Sequence, residues 1–205
     1  MEPGIDVEEV IQIHRNCTLQ WHESAPVLSG EGVFALIEQN HLENFNLWHE
    51  EDVARRDDLG ADRVRQAKRM IDRCNQKRND LVEGIDRSIV MALNPRVEGC
   101  PFNSETPGMM IDRLSVLSLR EFHMAEEALR NDAVAEHRRR CFAKLQVIRM
   151  QQQHLRNALA ELLDQIKAGT RSFRTYSQFK MYNDTELNPQ LRGEDHQARQ
   201  IPVDR

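Results

Sequence analysis

The sequence is short of cysteine pairs. Its four cysteines, Cys17, Cys74, Cys100 and Cys141, are scattered along 205 residues with no Cys-x-x-Cys spacing. That excludes a sequence-local zinc knuckle or dithiol redox motif, and nothing implies an oxidising compartment. Aromatic residues make up only 5% of the chain, so Leu, Ile, Met and Ala must supply the core, a composition that suits helices better than sheets. No apolar run approaches the ~20 residues of a membrane helix. The start, Met1-Glu2-Pro3-Gly4, has neither the basic nor the apolar region of a secretory signal, so a cytoplasmic location is expected. A Gly-rich phosphate loop, a nucleophile elbow and His-Glu-x-x-His are all missing, as are internal repeats and strand-like alternation. The net charge of −5 argues against a generic nucleic-acid binder.

What the sequence does have is helical periodicity and charge, with 40% hydrophobic and 30% charged residues. Five segments carry apolar residues at i, i+3, i+4 spacing. The first runs from about Asp6 to Glu23, with Asp6 as N-cap and Glu9 placed as in a capping box. The second runs from about Gly32 to Asp58 on a stripe of Phe34, Ile37, His41, Phe45 and Trp48, and Gly60 closes it. The third spans about Asp62 to Leu93 and stops at Asn94-Pro95. A loop from Asn94 to Thr106 follows, and Thr106-Pro107 reads as N-cap and first residue of the fourth helix. Asn131 or Asp132 is expected to open the fifth, which continues to about Lys167 and would be on the order of 50 Å long. The fold expected is all-α, an antiparallel bundle of about five helices over residues 1–169. A C-terminal arm and polar tail over 170–205 carries Arg171, Phe173, Arg174, Tyr176, Phe179, Lys180 and Tyr182. Packing of those aromatics onto the bundle is favoured over RNA binding. The long fifth helix is the expected surface for a homodimer.

The third helix carries the polar constellation. Asn75 and Arg78 fall where its stripe calls for apolar residues, with Asn79 on the flank. A buried Arg keeps its charge and requires acceptors. Glu51 and Asp52 on the second helix are the expected ones, with Arg55 one turn on and His49 one turn back. Two readings follow. In one, Arg55 and Arg78 hold a small anion such as a phosphorylated sugar or nucleotide. Asn75 and Asn79 hydrogen-bond it, His49, Glu51 and Asp52 handle protons, and Ser104 and Thr106 form the rim at a helix N-terminus. In the other, the same charges are an internal ion-pair network of a non-enzymatic interaction protein. A third reading assigns His49-x-x-Asp52 and Glu83-x-x-Asp86 to a divalent metal. Helical nucleotide pyrophosphatases present Glu-x-x-Glu and Glu-x-x-Asp in this way; Glu83-x-x-Asp86 fits the second motif, and His49-x-x-Asp52 stands in place of the first.

Four polar runs carry a wider resemblance. They are Asn46-Leu47-Trp48-His49-x-Glu51-Asp52-x-Ala54-Arg55; Lys68 to Asp86 with Asn75-Gln76-x-Arg78-Asn79-Asp80; Pro101-Phe102-Asn103-Ser104-Glu105-Thr106-Pro107-Gly108; and Gln178-Phe179-Lys180-Met181-Tyr182-Asn183-Asp184. Together they resemble a bacterial domain-of-unknown-function family, number forty-two fifty-four, across nearly the whole chain. The resemblance implies a small, helical, cytoplasmic protein and no particular activity.

Overall fold

The computed structural model describes residues 5–96, 98–177, 185–189 and 191. Five long helices are present: α1 (Val7–Glu23), α2 (Gly32–Val53), α3 (Ala61–Leu93), α4 (Pro107–Leu129) and α5 (Ala135–Lys167). Their ends follow local chemistry. The Asp6 carboxylate accepts from the Glu8 amide at 2.9 Å, and Thr106 Oγ1 accepts from the Met109 amide at 3.2 Å. Asn94 ends α3 in the left-handed region at φ 45°, the conformation that Asn tolerates best after Gly. The second helix stops at Val53, short of the expected Asp58, and a single 3₁₀ turn at Asp57–Leu59 leads to Gly60 at φ 80°. The fifth begins at Ala135, three residues after the later of the two expected caps, with no side-chain cap on it.

Contacts fix the helix directions. Leu36 meets Gly84, Asn40 meets Arg78 and Glu50 meets Arg63, so α2 and α3 run in opposite senses. Asp86 meets Gly108 and Arg78 meets Asp112, which sets α4 against α3; Glu127 meets His137 and Glu121 meets Arg149, which sets α5 against α4. The first pair departs from this alternation. Cys17 contacts Glu38, Thr18 contacts His41 and Trp21 packs on Phe45, so α1 and α2 run the same way. A parallel pair needs a connector as long as the helix it retraces. Helix α1 has 17 residues, about 25 Å, and residues 24–31 span that distance only if extended at ~3.3 Å per residue. They form no helix or strand, and Glu38 Oε2 holds their far end by accepting from the Ser29 and Gly30 amides at 2.9 and 2.7 Å.

The main core joins Val10, Ile37, Ile85, Ile111 and Leu159, one from each helix, all fully buried. Two-residue strands β1 (Phe102–Asn103) and β2 (Ser172–Phe173) pair in parallel and lay Phe173 into that core. Strands this short leave no periodic trace in sequence. The chain divides into two units, Met1–Thr175 and Tyr176–Arg205. The first therefore keeps Ser172 and Phe173, which the sequence assigns to the arm. In the second, Tyr176, Leu187 and Leu191 are exposed; Phe179, Lys180, Tyr182 and the run Gln178 to Asp184 lie outside the described residues. No helix among the described residues is long and apolar enough to cross a membrane.

Candidate functional site

The second helix is surrounded by α1, α3 and α4, and its middle is buried on several faces. Among its buried polar residues, Asn40, His41 and Asn44 face α4, and the structure gives each of them partners there. Their focus is Asp112 on α4. Its Oδ1 accepts from Asn40 Nδ2 at 3.1 Å, Asn44 Nδ2 at 2.9 Å and Arg78 Nε at 2.7 Å, while Oδ2 accepts from Arg78 Nη2 at 2.5 Å. This side-on pairing is the strong, orientation-fixing form of an Arg–carboxylate contact, and Asp112 raises the Arg78 pKa further. Arg78 thus finds its acceptor on α4 rather than in Glu51 and Asp52 as the sequence suggests.

Donor directions can be followed outward from Asp112. Asn44 also donates to Ser115 Oγ at 3.0 Å, and Ser115 lies 2.8 Å from His41 Nδ1. On the ring's other side His41 Nε2 lies 2.9 Å from Thr18 Oγ1, whose proton goes to the His14 carbonyl at 2.7 Å. Thr18 must therefore accept from Nε2–H, which leaves Nδ1 to accept from Ser115. One tautomer satisfies the chain. Burial holds His41 well below the usual histidine range, consistent with a neutral ring in a network that ties α4 to α1.

Above this layer a groove of about 440 Å³ opens between α2, α3 and α4. Glu51, Asp52, Arg55, Asn75 and Arg78 line it, so five of the sequence-selected residues come together there. Leu47, Trp48, Val116 and Leu119 form its apolar surface, and Arg120 on α4 adds a cation that sequence reasoning missed. The charges divide into used and unused. Arg55 pairs with Glu51 at 2.9 Å on an exposed turn, and Arg78 Nε and Nη2 are held by Asp112. The Arg120 and Asp52 side chains and Arg78 Nη1 have no hydrogen bond or ion pair among the described residues. Arg78 and Arg120 also border a second hollow of about 710 Å³ between α4 and α5, where Arg113 is paired with Glu105 at 2.6 Å.

Other selected residues lie elsewhere. His49 does not line the groove; it joins a ring cluster with His22, Phe45 and His123. Asn79 is half-buried on α3 and outside the groove lining, and Ser104 is exposed on the loop. Thr106 is fully buried at the start of α4, ten residues before the first α4 residue of the groove, Val116, or about 15 Å along the helix. It serves Asp86. The Asp86 carboxylate accepts from the Thr106 hydroxyl and from the Gly108 amide at 2.7 Å, while burial pushes its pKa up to about 6. The proposed four-ligand metal set does not assemble. Glu83 and Asp86 flank Gly84, which lies level with Leu36, whereas His49 and Asp52 flank Glu50, which lies level with Arg63. Those levels are 14 residues apart on α2, about 21 Å.

The model of a family described as protein of unknown function (DUF4254) matches residues 34–175, well over half of the chain. The chain belongs to this family. No curated protein and no solved structure matches it. The matched span of the DUF4254 family runs from α2 to the start of residues beyond β2, so it contains every residue that lines the groove and leaves α1 outside.

Proposed function

We propose that this DUF4254 protein binds a small anionic ligand, of the phosphorylated-sugar or nucleotide class, in the groove between α2, α3 and α4. The observation that carries the reading is a pair of arginines with donors to spare, one on α3 and one on α4, lining the same groove. Arg78 is held in place by Asp112 with Nη1 left over, and Arg120 has no partner among the described residues. A prepositioned guanidinium loses little freedom on gripping an oxyanion. Trp48, Leu47, Val116 and Leu119 offer the flat apolar contact that a base or sugar face requires, and Asn75 offers a neutral hydrogen-bonding group. Asp52, exposed and with no side-chain hydrogen bond or ion pair among the described residues, is the group best placed to take up a proton from a bound hydroxyl or water. Glu51 is engaged with Arg55, and His49 faces away, so neither shares that role.

A panel of nucleoside phosphates and sugar phosphates tests this by thermal shift on wild type and Arg120→Ala in chelator-treated buffer. The expected result is a rise in Tm for at least one member with wild type and its loss with Arg120→Ala, the unliganded Tm being equal because Arg120 is exposed. A silent panel, or an equal response from both proteins, contradicts the proposal. It would favour the second reading, a purely structural network, for which the closed pairing of Asp112 with Asn40, Asn44 and Arg78 is the supporting observation.

A further inference from the structure

Three imidazoles from three helices meet at one end of the bundle. His22 lies in the last turn of α1, His49 near the end of α2 and His123 in α4. One side-chain nitrogen of each lies within 4.8 Å of the other two. Two of the rings have a fixed tautomer. His22 Nδ1 is 2.6 Å from the Thr18 carbonyl, which only accepts, so Nδ1 carries the proton. His123 Nδ1 is 2.9 Å from Glu126 Oε2 and donates in the same way. In each neutral ring Nε2 is then a bare lone pair, and His22 Nε2 and His123 Nε2 are both buried without any hydrogen-bond partner. A buried acceptor with no donor is uncommon; two, brought together from different helices beside a third imidazole, call for a cation other than a proton.

The outer contacts fit that demand. Metal-bound histidines present one nitrogen to the ion and anchor the other ring N–H on a carbonyl or carboxylate, the roles that Thr18 and Glu126 fill here. Burial lowers the proton affinity of His49 and His123, which keeps their lone pairs available near neutral pH. The rings are braced by neighbours: His123 stacks on Trp48 at 4.6 Å and His22 on Phe122 at 4.1 Å. A contrasting cluster at the α4–α5 turn lacks this signature. There His137 Nε2 already contacts Glu127 at 2.8 Å and Cys141 Sγ at 3.3 Å, so its members satisfy one another.

We infer that His22, His49 and His123 bind one divalent transition-metal ion of the zinc type, bridging α1, α2 and α4 and leaving a fourth coordination position open. Nitrogen-only donors select Zn²⁺, Co²⁺, Ni²⁺ or Cu²⁺ over Mg²⁺ and Ca²⁺. Metal–nitrogen bonds of about 2.0–2.1 Å would draw the nitrogens to roughly 3.4 Å apart, a contraction that small ring rotations supply. Asp52 and Glu126 place negative charge beside the ion, since both act electrostatically on His49 and His123. The metal site shares Trp48 and Asp52 with the edge of the anion groove, but its probe is the metal alone, and neither Arg78 nor Arg120 takes part.

The test is a titration of chelator-treated full-length protein with Co²⁺, followed by Zn²⁺ and, separately, Mg²⁺. One Co²⁺ per chain with ligand-field absorption of four- or five-coordinate nitrogen ligation is expected, displaced by equimolar Zn²⁺ and unaffected by excess Mg²⁺. His22→Gln, His49→Gln and His123→Gln should each abolish the spectrum. Glu126→Ala, an exposed change that leaves folding intact, should weaken binding ~10–100-fold through the lost anchor of His123. His137→Gln should change nothing. Absence of stoichiometric Co²⁺ binding by the folded wild type overturns the inference. So does binding that Glu126→Ala and the three histidine variants leave unchanged, or that His137→Gln removes.

Discussion

At the scale of single residues, Asp112 organises the site, and its value is measured by removing its partner. Arg78→Ala would leave a buried carboxylate with only two amide donors, and truncating one member of such a pair costs about 3–5 kcal/mol. Urea denaturation should show that loss for Arg78→Ala, whereas Arg120→Ala should stay within about 0.5 kcal/mol of wild type. An equal, small effect from both would mean that the Asp112 pairing is not buried in solution. Arg78 was legible in the sequence because a charge interrupts an apolar stripe. Its partner was not. Asp112 lies 34 residues on in another helix, and next to Arg113 it reads equally as an extension of the preceding loop's site or as a solvated turn, with nothing that ties it to Arg78. Arg120 was hidden for the same reason, being an exposed arginine whose significance lies in what surrounds it.

At the scale of helices, the close approach of α3 and α4 is set by Gly108. A Cβ there would sit 2.7 Å from both Val82 O and Asp86 Oδ1, so Gly108→Ala must push backbone against backbone. A loss of about 1–3 kcal/mol is expected in a denaturation curve, although alanine is the better helix former. A neutral or stabilising result would show that α3 and α4 are further apart than this. The five helices could be read from period 3.6 and from their stop signals, Asn94-Pro95, Gly60 and Gly169. The course of α2 could not. A helix enclosed by three others is buried well beyond its apolar stripe, so Asn40 and Asn44, which lie off the stripe that carries His41, are buried as well. The parallel setting of α1 and α2 was equally hidden, since the connector reveals its length but not that it is stretched.

At the scale of the whole molecule, the buried histidines make stability depend on acidity. His14 is buried with both ring nitrogens unpartnered, and burial lowers its pKa from 6.5 to about 3, with Asp112 opposing weakly; His41 is lowered as well. Both bind fewer protons folded than unfolded. His14 contributes stability that is complete above about pH 6.5 and is lost at about 1.4 kcal/mol per pH unit as pH falls towards its folded value, and His41 acts in the same direction. Asp86 acts in the opposite sense. Its pKa is raised from 3.8 to about 6, so its burial costs nothing at pH 3 and about 3 kcal/mol above pH 6. Between pH 6 and 4 His14 and Asp86 oppose each other with similar slopes, and the lowered pKa of His41 tips the balance, so stability should fall with acid. His14→Phe removes one histidine and both unpartnered nitrogens, so it should leave pH 7 stability unchanged or higher and flatten the acid limb. An unaltered acid limb in that variant would contradict the assignment of His14 as a buried neutral ring.

The central claim concerns the groove, and the protein's two tryptophans report on it separately. Trp48 lines the groove, while Trp21 is buried against His41 and Phe45 and is not part of the lining. A ¹H–¹⁵N spectrum shows one indole N–H signal for each, assigned by Trp48→Phe. Titration with a nucleoside phosphate or sugar phosphate that stabilises the protein, in chelator-treated buffer, should move the Trp48 signal in a saturable way and leave Trp21 in place. Arg120→Ala should suppress that movement. If the Trp48 signal stays fixed while the protein binds the ligand, or both indoles move alike, the groove is not the binding site.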